Sequence, residues 1–227
     1  MKRLILGFEH FRHQVFPQQR DLFKKLAAGQ SPSTMFITCA DSRVMPEMMF
    51  TTQPGELFVY RNIGNIVPPY AQHVSGVVAA IEYAVKVLQV EHIVICGHSD
   101  CGAMKALRQP ELVRGMPSVA AWLKHAEVAR YVVEQNTEGL PDDERLQCLT
   151  RENVVGQLEH LRTLPVVAAA LAGGSLSIHG WVYDIAHARL EAFDAQRGCF
   201  VEIESNAGYL PEATPHLRFA AAATTVA

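Results

Sequence analysis

Two short segments hold the residues that could do chemistry together. Cys39-Ala40-Asp41-Ser42-Arg43 sets a carboxylate two residues after a thiol, and a guanidinium two residues after that. His98-Ser99-Asp100-Cys101 adds an imidazole and a second thiol. Cys39, His98 and Cys101 make the Cys₂His donor set of a catalytic zinc, in which three protein ligands leave the fourth position to water. Asp41 can then accept a hydrogen bond from that water, and Arg43 can hold Asp41 in a bidentate pair. Charge arithmetic gives the carboxylate a task. A zinc ion with two thiolates and a neutral imidazole is formally neutral, whereas bound water reaches a pKa of about 7 in a site of three neutral histidines. The thiolates make a weaker Lewis acid, so a neighbouring group has to help remove the proton. Taken singly, the same residues have plainer readings. Scattered Cys and His are core residues, Asp-x-Arg is a surface ion pair in a turn, and a structural zinc would keep Asp41 as a permanent fourth ligand.

The elements around the segments put them where ligand sites form. Thr34 to Thr38 reads as a short buried strand ending at Cys39, and His92 to Cys96 as another ending at Gly97-His98. The carboxyl ends of buried parallel strands are where open α/β sheets bind ligands. Adjacent strands would make the distant ligands neighbours. Gly97 and Gly102 flank the second segment and suit close backbone approach. Residues 8–28 carry apolar side chains at helical spacing, divided by Pro17. Pro46 opens a short helix, Leu57 to Tyr60 is a strand, and 74–88 is helical. Residues 116–135 and 142–172 are mostly helical, with breaks near Gly139-Leu140-Pro141 and Pro165. Residues 175–182 form a strand, and Leu190–Phe193 with Phe200–Ile203 a hairpin-like edge. The expected fold is α/β: one domain over 1–227, a mainly parallel central sheet flanked by helices, a helical arm over about 1–30, a C-terminal edge-strand region, and a frayed tail over about 220–227.

Cys-x-Asp-Ser-Arg followed by His-x-x-Cys resembles the β-class carbonic anhydrases. So do Gln30-Ser31-Pro32, Pro54 to Asn62, Glu82-Tyr83-Ala84-Val85, Ile95 to His98 and His179 to Asp184. The likeness covers roughly residues 5 to 205 and is strongest to the bacterial, plant-like branch that includes the carbonic anhydrase of cyanate operons. It implies a zinc enzyme that reversibly hydrates carbon dioxide to bicarbonate and a proton by zinc-hydroxide attack. Cys39, His98 and Cys101 would be the ligands, and Asp41 and Arg43 the catalytic dyad. In some relatives the residue matching Asp41 takes the fourth zinc position in a closed state. The resemblance further implies a substrate pocket of Gln30, Phe58, Ile63, Tyr83 and Gly102, completed by a second subunit, and so a homodimer or a higher even oligomer. Allosteric relatives bind a regulatory bicarbonate through a Trp, an Arg and a Tyr. Arg61 and Tyr183 match the last two, but Phe36 stands at the Trp position and has no N–H donor.

Bulk properties agree with a small substrate. The 227 residues are 49% hydrophobic and 19% charged, with net charge −3, which excludes an electrostatic case for nucleic acid or an anionic membrane. The five cysteines, an odd number without scaffold density, point to a reducing, cytoplasmic compartment, with Cys96 as a core thiol. No apolar run is long enough to span a bilayer, and the amino terminus turns polar too soon for a signal peptide. Two rival readings stay on this chemistry: a hydrolase of carbonyl sulfide or carbon disulfide, and a non-catalytic zinc-binding module.

Overall fold

The structure, a computed structural model, describes residues 1–71 and 75–203. The frayed tail expected from residue 220 lies outside the described residues. The chain divides into two compact units, Met1–Ser31 and Pro32 onward. The first is all helical: α1 (Lys2–His10), a π-helical turn (Phe11–Val15), a 3₁₀ turn (Phe16–Gln19) and α2 (Arg20–Leu26). Pro17 lies in the 3₁₀ turn, where a residue without an N–H ends regular α-helix. Phe11, Phe16 and Phe23 pack as three rings with centroids 5.3–6.2 Å apart. Helix α1 starts six residues earlier than the apolar spacing predicts and buries none of its side chains.

The second unit is built on a six-stranded sheet. Its strands are β1 (Thr34–Cys39), β2 (Leu57–Asn62), β3 (His92–His98), β4 (Ser177–Asp184), β5 (Arg189–Asp194) and β6 (Cys199–Glu202). Their order is β2-β1-β3-β4-β5-β6. The first four are parallel; β5 and β6 add an antiparallel edge, as expected. The helices are α3 (Pro46–Met49), α4 (Gly76–Tyr83), α5 (Gly102–Arg108), α6 (Pro117–Leu123), α7 (Glu127–Asn136), α8 (Asp142–Thr163) and α9 (Pro165–Ala172). Strands β1 and β3 are neighbours, with Thr38 opposite Cys96, so both metal segments leave the same edge of the sheet side by side.

One sheet face makes the main core. Met35, Ile37, Ile93, Ile95, Ile178 and Val182 pack against Val154, Leu158 and Leu161 of α8, Val77 and Ile81 of α4, and Val167 and Leu171 of α9. Two glycines let α8 lie against the strands. A Cβ on Gly97 would sit 2.9 Å from Val154, and one on Gly180 would sit 2.8 Å from both Val154 and Leu158. Gly102 carries no such constraint, because a Cβ there meets nothing within 4 Å, so the close approach expected of it is not made among the described residues. The opposite face carries Phe36, Val94 and Cys96, packed with Val59, Trp181, Tyr183 and Phe50. Burial pushes the Cys96 thiol up to about 12, as suits a core thiol.

Candidate metal centre

Cys39 ends β1, His98 ends β3, and Cys101 caps the amino terminus of α5, a helix the apolar spacing alone did not single out. Their ligand atoms lie within 4.8 Å of one another and all three side chains are buried. The sulfurs of Cys39 and Cys101 are 4.0 Å apart. The His98 ring is oriented by its own loop: Nδ1 lies 2.8 Å from the Ser99 carbonyl oxygen, which only accepts, so Nδ1 carries the proton and Nε2 keeps its lone pair. Nε2 is buried and has no hydrogen-bond partner. A buried acceptor left alone is costly, and a cation between the three atoms would satisfy it.

The thiols show the same need. Without a cation, two touching sulfurs cannot both be thiolates. The Cys101 thiol donates to Cys39 and, against the effect of burial, pulls it down to about 4, helped by the N–H groups of Gly64 and Asp41. That contact, together with burial, pushes Cys101 far above the ordinary thiol range, against the N–H groups of Met104 and Ala103. A divalent ion removes the conflict by letting both sulfurs ionise. Buried N–H groups aimed at both sulfurs and an oriented imidazole fit a Cys₂His zinc centre.

Asp41 and Arg43 form the expected bidentate ion pair in the turn after β1. Arg43 Nε and Nη2 donate to Asp41 Oδ1 and Oδ2 at 2.9 and 2.8 Å, and the Arg43 N–H donates to Oδ1 at 3.0 Å. These bonds hold the Asp41 carboxyl well below the usual carboxylate range. Asp41 Oδ2 stands 3.8 Å from His98 Nε2, beside the metal position. Arg61 fixes the turn by donating to the carbonyl oxygens of Cys39 and Asp41 at 3.2 and 2.6 Å.

Sequence reasoning missed the support on the other side. Gly64, in the 3₁₀ turn Ile63–Asn65, has φ +78°, and a Cβ there would sit 3.0 Å from Ala103 Cβ on α5. Side chains at i, i+4 and i+7 of α8, the first two buried and the third half-buried, serve this loop. Asn153 donates to the Gly64 carbonyl at 3.1 Å, Gln157 accepts from Val67 N–H at 2.8 Å, and His160 Nδ1 donates to the Val67 carbonyl at 2.7 Å. Asn62 closes the same loop on itself through both backbone groups of Ile66. The signal in the sequence is polar residues at helical spacing, which normally mark a solvent face.

The residues expected to line a substrate pocket fall into three groups. Phe58 on β2 and Tyr83 at the end of α4 stack with centroids 6.1 Å apart. Ile63 sits on the Gly64 loop, its carbonyl held by Trp122 Nε1 at 2.8 Å, and Gly102 directly follows Cys101. Gln30 belongs to the N-terminal unit, past the end of α2.

The mainly parallel α/β sheet thus brings two thiols and an imidazole together as a Cys₂His cluster able to hold a metal ion, with an Asp–Arg pair beside it. The carbonic anhydrase family profile matches residues 34–190. A carbonic anhydrase of Pseudomonas aeruginosa is 49% identical over 203 residues, 89% of this chain and 92% of the relative. Carbonic anhydrase 1 of Escherichia coli O157:H7 is 47% identical over 207 residues, 91% and 94% of the two chains. The solved structure of the β-carbonic anhydrase CcaA aligns with a TM-score of 0.87 and 42% identity, over 91% of this chain and 93% of that one. The chain belongs to the β-class carbonic anhydrases and is an enzyme of that family.

Proposed function

We propose that this enzyme interconverts carbon dioxide and bicarbonate with zinc held by Cys39, His98 and Cys101, and with Asp41 and Arg43 as the catalytic pair. The observation that carries the reading is the Asp41 carboxylate, gripped on both oxygens by Arg43 and set 3.8 Å from the free Nε2 of His98. Zinc held there would supply a Lewis acid that lowers the pKa of a bound water, less strongly than a three-histidine site does. Asp41 accepts the hydrogen bond of the attacking oxygen, orients its lone pair and takes up part of the proton's charge. Arg43 keeps Asp41 ionised and acceptor-only.

Phe58, Tyr83 and Ile63 supply an apolar wall for carbon dioxide, with the Gly102 N–H as a donor for bicarbonate. Ile63 is 44% exposed and Tyr83 45%, which supports a wall completed by a second copy of the chain. Helix α1 supports the same reading, since Leu4, Ile5, Leu6 and Phe8 are all exposed. A β-carbonic anhydrase of Sordaria macrospora, 31% identical with a TM-score of 0.75, is described as tetrameric. We read this chain as an even homo-oligomer of single-domain subunits. Among the described residues no helix is long and apolar enough to cross a membrane. The five thiols are all free, which suits the reducing cytoplasm.

The test is stopped-flow hydration of carbon dioxide from neutral to alkaline pH, with zinc analysis of the same sample and hydrogen sulfide release from carbonyl sulfide measured in parallel. Hydration that tracks zinc content and exceeds sulfide release is expected. Zinc without hydration across that range would overturn the reading.

A further inference from the structure

The Arg43 guanidinium is held from two directions. Nε and Nη2 face Asp41, while Nη1 donates to Asp100 Oδ2 at 3.0 Å and Nη2 to the Asp100 carbonyl at 3.2 Å. Asp100 lies between the ligands His98 and Cys101, in the loop after β3. Its other carboxylate oxygen pairs with Lys105 on α5. We propose that Asp100 is a positioning residue for carbon dioxide hydration: it clamps Arg43 from the second metal loop, so that Asp41 meets the open side of the metal in one orientation. The inference rests on the Asp41–Arg43 reading above.

The geometry gives the clamp its purpose. Asp41 and Arg43 are two residues apart in one turn, and the Arg43 side chain is 45% exposed. A pair tied only to its own turn can swing as a unit without breaking its mutual bonds. A contact from residue 100 ties that unit to the loop that carries two of the three ligands. The backbone is shaped for it. Asp100 has φ +58°, a left-handed conformation that Asp and Asn tolerate better than other residues with a Cβ. The charges Asp41, Arg43, Asp100 and Lys105 alternate in sign and sum to zero, so the clamp adds rigidity without adding net charge beside the metal.

The experiment uses the zinc-loaded full chain. Asp100→Asn keeps shape and left-handed tolerance but drops the charge. It should retain one zinc per chain, lose about three- to tenfold in kcat, and hold KM within about twofold, because the Asp100 carboxylate is engaged with Arg43 and Lys105. Modification of Arg43 by phenylglyoxal, followed by peptide mass spectrometry, should run at least about threefold faster, because ion-paired guanidinium is shielded. If Asp100 acts through Asp41, adding Asp100→Asn to Asp41→Asn should cost nothing further. Wild-type kcat and wild-type Arg43 reactivity in Asp100→Asn would overturn the clamp. So would a full additional loss in the double variant. Full activity of Asp41→Asn would instead overturn the dyad reading beneath it. Should Asp100→Asn lose zinc, Asp100→Gly, which takes φ +58° without strain, decides. Zinc loss there too would make Asp100 a structural residue of the metal loop and overturn the proposal.

Discussion

The Asn153 side chain on α8 donates to the Gly64 carbonyl across 3.1 Å, joining the longest helix to the loop whose N–H is aimed at the Cys39 sulfur. Gly64 is therefore held from above by α8 and pressed from the side by α5. Gly64→Ala would put a Cβ at φ +78° and 3.0 Å from Ala103 Cβ. Left-handed strain of about 1–2 kcal/mol and overpacking of about 1–3 kcal/mol predict a total loss of roughly 2–5 kcal/mol. Chemical denaturation at saturating zinc measures the loss, and chelator competition should show weaker zinc binding. Unchanged stability and affinity would mean that the loop has room the structure does not show.

Cys101→Ser tests the ligand set. Serine is a far poorer zinc donor than a thiolate, and it leaves His98 Nε2 facing an incomplete site. Zinc measured after dialysis should fall well below one per chain, while wild type keeps it. Full stoichiometry at unchanged affinity would remove Cys101 from the ligands.

Asp41→Asn separates chemistry from metal binding. Asparagine keeps the shape but loses the charge and one of the two acceptor oxygens that Arg43 grips, putting an NH₂ donor in its place. Hydration should fall on the order of 10² or more, with zinc content within error of wild type. Near-wild-type turnover up to alkaline pH would remove Asp41 from the reaction.

The Cys39–His98–Cys101 cluster and the Asp41–Arg43 ion pair were legible because each sits in a short motif at a strand end, and the strands were legible from their apolar runs between turn residues. The supports were not. Asn153, Gln157 and His160 read as a wet helix face, yet they are turned inward to satisfy backbone groups of a buried loop, and only the packing of α8 on β3 and β4 reveals it. Helix α5 was missed because seven residues give too little periodicity, although Ala103, Met104, Ala106 and Leu107 all prove buried. Asp100 carries no signal of its own, because nothing in a sequence says that residues 43 and 100 meet.

His160 makes stability depend on pH. Burial holds its pKa below the ordinary imidazole value, outweighing the hydrogen bond to the Val67 carbonyl. The sign follows from linkage. Above about pH 6.5 both folded and unfolded chains carry a neutral ring, and its contribution is complete. As pH falls below 6.5 the unfolded chain takes up a proton that the folded one resists, so stability drops by up to about 1.4 kcal/mol per pH unit until the folded pKa is passed. His160→Gln should therefore lose less stability than wild type between pH 7.5 and 5.5, at saturating zinc. Equal losses over that interval would show that His160 is not a source of the slope.

Bicarbonate should regulate this enzyme weakly or not at all through the face that carries Arg61 and Tyr183. Phe36, 1% exposed, fills the position where allosteric relatives have an indole, and packs on Phe50 and Trp181 with centroids at 5.3 and 6.1 Å. It offers no N–H to an anion, and Arg61 already donates to the carbonyls of Cys39 and Asp41. An anion buried without one charge-assisted donor binds more weakly by roughly 1.5–3 kcal/mol, about ten- to a hundredfold. Hydration kinetics with bicarbonate titrated near neutral pH should show no cooperative inhibition of wild type, and Phe36→Trp should move toward inhibition if the rest of the site is intact. Cooperative inhibition of wild type that Arg61→Ala abolishes, with the fold retained, would show that this face binds the anion without an indole at position 36.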